Sequence, residues 1–74
     1  MSGYAIIIEG EGGSFSAYAP ELPGCVSAGS SVEEVEALMR EAIEFHLEMM
    51  RERGDEIPPP TTVATAIVEV VTTQ

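Results

Sequence analysis

The sequence contains no lysine, only three arginines, one cysteine and one histidine, and no long run of apolar residues. Each shortage excludes something. Three cations against thirteen acidic residues give a formal charge of -10, which repels phosphate backbones and argues against direct nucleic-acid binding by this chain. A basic partner suits such a surface better. The lone Cys25 cannot close an internal disulfide, and one cysteine with one histidine makes no zinc pattern. Apolar stretches such as 5–8 fall far short of the ~20 residues that span a bilayer, so no transmembrane helix is expected. The first residues hold no Lys or Arg and no long apolar core, so nothing marks the chain for export and a cytoplasmic location is expected.

At 74 residues the sequence is read as a single domain over 1–74, with a core that is marginal by itself. Neither disulfide nor metal is at hand to steady it, which leaves oligomerisation. A homo-oligomer, dimer or tetramer, is therefore expected.

Residues 4–9 (Y-A-I-I-I-E) read as a first strand, and the glycine-rich stretch 10–14 (G-E-G-G-S) lets the chain reverse into a second at 15–19. Pro20, Pro23 and Gly24 make E-L-P-G a turn, and 25–29 can form a third strand. Ser31 followed three residues later by Glu34 is a capping-box pattern, and the helical period from Val32 predicts a helix over 32–53 ended by Gly54. The three prolines 58–60 form a stiff connector. A β-rich run, 63–71 (V-A-T-A-I-V-E-V-V), follows and is expected to be a fourth strand. The order is β-β-β-α-β, an α+β fold with an antiparallel-rich sheet and one helix packed on one face.

Projected at ~100° per residue, Val35, Leu38, Met39, Ala42, Ile43, Phe45, His46, Leu47, Met49 and Met50 share one broad arc. That arc is wider than one sheet face needs. Its edges, Phe45 on one side and Ile43 with Leu47 on the other, are candidates for contact with a second subunit. Glu41, Glu44 and Glu48 lie on the opposite, acidic face and are candidate partner-binding residues, as are Leu22 and Pro23 in the turn. Val63, Ile67 and Val70 of the β-rich tail are the candidate oligomer interface.

Residues with chemical potential give little reason to expect catalysis. His46 projects into the apolar arc without an acidic orienter nearby in sequence, so it reads as a packed residue. Cys25 has no neighbouring cation or base to stabilise a thiolate and reads as a small buried side chain. The Gly12–Ser14–Ser16 spacing fails the G-x-S-x-G elbow, and the same glycines lie between strands instead of at a helix N-terminus, so no phosphate loop is read there. Glu9 and Glu69 would form a metal site only if the sheet brought them together. No catalytic, metal or cofactor residue is expected.

Five blocks in order carry a further signal: the strand ending in an acid at 4–9, the aromatic strand at 15–18, P-E-L-P-G-C at 20–25, A-I-E-F-H-L at 42–47 and G-D-E-I-P-P-P at 54–60. Together they resemble the HicB family of antitoxins. The resemblance implies a truncated ribonuclease-H-like sheet without catalytic acids, and a protein that binds and occludes a small basic messenger-RNA-cleaving toxin of the HicA type. Many members of that family carry a C-terminal helix-turn-helix or ribbon-helix-helix segment for operator binding. Here the sequence ends at Gln74, so no DNA-binding segment is expected on this polypeptide. The alternative is an orphan homo-oligomeric domain of the same fold that binds another protein or a small ligand.

Overall fold

A computed structural model describes residues 3–71 of the chain. Three strands, β1 (Ile7–Glu11), β2 (Ser14–Tyr18) and β3 (Val26–Gly29), precede one helix, α1 (Val32–Arg53). The strands form an antiparallel meander in the order β1-β2-β3, with Ile8 opposite Ala17 and Ala17 opposite Ser27. The expected α+β arrangement, a sheet with one helix on one face, is the one observed.

The first hairpin closes over the two residues Gly12 and Gly13, so β1 runs on to Glu11. Residues 4–6, read as part of the strand, precede the ladder instead. Their would-be partners lie beyond Tyr18, where Pro20 and the following turn lead the chain away. In that turn the Ala19 N–H donates to the Cys25 carbonyl (3.2 Å), and the N–H groups of Leu22 and Cys25 donate to the carbonyls of Ala19 (3.0 Å) and Leu22 (3.1 Å). Closing the loop on itself drives Leu22 inward. It joins Ala17, Ala19, Cys25, Val35 and Met39 in a core cluster that the sheet and α1 close between them.

The helix has the bounds that its punctuation predicts. Ser31 Oγ accepts the Glu34 N–H at 3.1 Å, which supplies one of the helix's orphan donors with a partner. Glu34 does not return the bond to Ser31 as a full capping box would. Its carboxylate accepts from the Ser30 N–H at 2.6 Å, one residue earlier. At the far end the Gly54 N–H donates to the Arg51 carbonyl (3.1 Å) and the Asp55 N–H to the Met50 carbonyl (2.9 Å), the paired bonds of a Schellman ending.

The fourth strand is a correction. Residues 55–71 carry neither helix nor strand, and 61–71 are exposed throughout. A strand exists only against an edge, and this segment is tied to the foot of the sheet before the β-rich run begins. Tyr4 donates its hydroxyl to the Pro58 carbonyl, and Glu21 accepts from the Thr61 and Thr62 hydroxyls at 2.9 and 2.7 Å as well as from the Thr61 N–H. The connector thus passes β1 and reaches the β2–β3 turn before the β-rich run starts.

Candidate functional site

Helix α1 lies mainly over β3 and β2 and barely reaches β1, so it leaves two different flanks open. Val35 and Met39 sit on the sheet side and are fully buried, with Ala42, Ile43 and Leu47 half-buried along the same stripe. On one flank Leu38, Phe45 and Met49 fall on a single ridge at i, i+7 and i+11. All three are exposed, Phe45 most of all at 65%. Glu41, Glu48 and Glu52 run alongside that ridge, with Glu44 further round, and all four are exposed. An apolar ridge bordered by carboxylates can seat an apolar side chain of a partner while its rim attracts basic groups. Sequence reasoning placed Leu38 and Met49 in the apolar arc without separating them from the core. Their spacing, offset from the Val35–Met39–Ala42 stripe, was the signal available.

The other flank is a groove of about 780 Å³ between α1 and the segment leading into β1. Ile6, Met39, Ile43, Leu47 and Ile57 line it together with the charged Glu36, Arg40, Glu44 and Arg51, so Glu44 borders this flank as well as the acidic face. Ile43 and Leu47, expected at a subunit contact, border this groove while also packing on the core. The proposed interface positions Val63, Ile67 and Val70 are 98%, 96% and 73% exposed in the isolated chain.

The P-E-L-P-G-C turn presents less surface than its composition suggests. Leu22 is 1% exposed, so its side chain belongs to the core and a partner approaching this turn would meet Pro23 instead. Cys25 is buried as read, and desolvation pushes its thiol up from the ordinary value, which suppresses thiolate chemistry. His46 is half-buried on the core side of α1. Glu9 stands exposed opposite Ser16 in the sheet and Glu69 lies in the exposed tail. Among the described residues no three metal-ligating side chains converge, and no helix is long and apolar enough to cross a membrane.

Glu21 has a structural task. Hydrogen bonds from Thr61 and Thr62, the Thr61 backbone N–H foremost, hold its carboxyl below the ordinary carboxylate range. A depressed folded value means that the strap is favoured while Glu21 is ionised and weakens as pH falls through that lowered value. Protection of the Thr61 amide from hydrogen exchange is therefore expected to drop on acidification to below the ordinary carboxylate range. In Glu21→Gln it is expected to be low already at neutral pH. Equal protection in both proteins at neutral pH would dismiss the strap.

These features define a small α+β scaffold with a punctuated turn, one amphipathic helix and open surfaces on both of its flanks. The description "HicB_like antitoxin of bacterial toxin-antitoxin system" fits residues 4–71, and the chain belongs to that family. It is 40% identical over 55 residues to an uncharacterised 14.9 kDa protein of the rep-hol intergenic region of Haemophilus phage HP1, covering 74% of this chain and 41% of the phage protein. Over 53 residues it is 43% identical to a UPF0150 protein of Thermotoga maritima, covering 72% of this chain and 67% of that one. The chain thus spans about four-tenths of the phage protein's length and about two-thirds of the Thermotoga protein's.

Proposed function

We propose that this chain acts in the cytoplasm as a homo-oligomeric antitoxin that neutralises a small basic, messenger-RNA-cleaving toxin of the HicA type by covering its active surface. It works by occupancy and not by catalysis. The observation that carries this reading is the pairing of the exposed ridge Leu38, Phe45 and Met49 with the glutamates beside it. A toxin that grips RNA must present cations to phosphate, and a row of carboxylates fixed on a helix meets those cations in the place of the phosphates. Family membership supports an antitoxin role in general, and the net charge of -10 favours rapid encounter with a basic partner.

The triple variant Glu41→Gln, Glu44→Gln, Glu48→Gln tests it. All three positions are exposed, so the fold is expected to survive. Against a HicA-type toxin in stopped-flow, association at low salt is expected to slow by roughly tenfold or more, and the difference is expected to shrink as the Debye length contracts to ~3 Å near 1 M salt. Wild-type association at low ionic strength would take this face out of the interface. Absence of toxin binding by the wild-type chain would leave the orphan domain as the standing reading.

A further inference from the structure

The groove beside β1 and the tail at 63–71 have complementary needs. β1 is an edge strand whose outer N–H and C=O groups have no partner strand in the sheet order β1-β2-β3. Beside it, where α1 leans away toward β3, lies the groove lined by Ile6, Met39, Ile43, Leu47 and Ile57. A strand added to the β1 edge would lie under the helix in that groove. The tail is the one remaining segment with the composition of a strand. Val63, Ile67, Val68, Val70 and Val71 are 98%, 96%, 78%, 73% and 95% exposed, nearly as open as in an unfolded chain. So much apolar surface on one segment marks an unfilled contact. The radius of gyration, 14.5 Å against ~11 Å for a compact chain of this length, agrees with a tail held off the body.

We infer that this groove receives residues 63–71 of a second copy as a strand added to β1, the two copies exchanging tails reciprocally. This specifies the homo-oligomer of the preceding proposal. The strap decides between the chain's own tail and another's. Pro58 is held at Tyr4 just before β1, and Thr61 and Thr62 are held by Glu21 in the β2–β3 turn, so the chain has already crossed the foot of its own sheet when the tail begins. To reach its own β1 edge the tail would have to turn back across that foot from Thr62. Charge leaves the contact itself close to neutral. Two copies at -10 repel, yet Glu69 is the tail's single charge and the groove balances Glu36 and Glu44 with Arg40 and Arg51. The alternation Ala64, Ala66, Val68, Val70 contains no polar side chain and faces the groove, while Thr65, Ile67 and Glu69 face outward with Ile7 of β1. Reciprocal addition of this kind closes a two-fold dimer with no strand left over on the β1 side.

Two measurements on the full chain test the inference. Val68→Asp alters a side chain exposed in its own copy, so helix content by circular dichroism is expected to stay unchanged. The dimer constant by light scattering is expected to weaken by about 100-fold or more, because an apolar side chain packed on Ile6, Ile43 and Leu47 would be replaced by a carboxylate that must be desolvated. Thr65→Asp, on the outward face, is expected to keep the dimer. A Val68→Asp protein that still has dimer mass overturns the inference. For the second measurement, chains carrying Ile7→Cys are mixed with chains carrying Thr65→Cys or Ile67→Cys under mild oxidation, and a covalent pair between the two kinds of chain is expected. Dimer mass without that mixed pair overturns the groove while leaving the homo-oligomer standing. An intrachain bridge in a protein carrying both cysteines assigns the groove to the chain's own tail and equally overturns it.

Discussion

Gly10→Ala is expected to cost about 3 kcal/mol or more and to lower the melting temperature by at least ~12 °C, a large share of the stability of so small a domain. Gly10 sits in β1 at φ 136°, opposite Phe15. A Cβ there would lie 2.2 Å from the Ser14 carbonyl oxygen and 2.8 Å from the Phe15 Cα, and both obstacles are backbone of the paired strand. Relief would require opening the hairpin. Gly24→Val makes the informative contrast. Gly24 also has a positive φ, 87°, but a Cβ on it meets nothing within 4 Å, so the cost is the conformational one of about 1 kcal/mol or more. Comparable melting of the two variants would show that the close approach at Gly10 does not govern the hairpin.

Phe45→Ala is expected to weaken toxin binding by ~30-fold or more, the scale of an aromatic anchor at the centre of an interface, while stability changes by less than about 0.5 kcal/mol. The separation is possible because Phe45 is 65% exposed and stands outside the core cluster. It also lies on the flank of α1 opposite the groove, so dimer mass is expected to stay the same. Calorimetric titration of the toxin together with thermal melting checks both halves. Unchanged affinity would move the toxin contact off the ridge, whereas a large fall in stability would mean that Phe45 belongs to the fold.

The helix was legible in the sequence to the residue because its ends are set by neighbours: Ser31 and Glu34 at one, Gly54 and Asp55 at the other. Strand limits were less so, since they depend on what lies opposite. β1 starts at Ile7 because β2 ends at Tyr18, which nothing within 4–9 reveals. Leu22 shows the same limit in the turn. Flanked by Glu21 and Pro23 it reads as surface, and only the folding of the loop back onto Ala19 turns it into the core. The acidic face and Phe45 at its border could be read from period alone, but how much of the apolar border stays open could not. Leu38 and Met49 stay exposed with α1 lying mainly over β3 and β2, a placement set by long-range packing. The tail was legible as β-rich, yet composition does not say which edge a strand will use or whose.

Every element of the body packs on the one made just before it: β2 on β1, β3 on β2, and α1 back across β3. Up to the end of α1 such a chain closes mostly short loops, the condition under which small domains fold fastest, and the strap from Pro58 to Thr62 closes last. Nothing in that sequence of events waits for residues 63–71, so the monomer reaches its shape by a first-order process whose rate does not vary with protein concentration. If tails are exchanged as proposed, that step is second order and comes afterwards. Newly made chains would then pass through an interval, long when copies are few and short when they are many, in which the body is complete and the apolar tail is still bare. The abundance of the protein would set how long its stickiest segment stays uncovered.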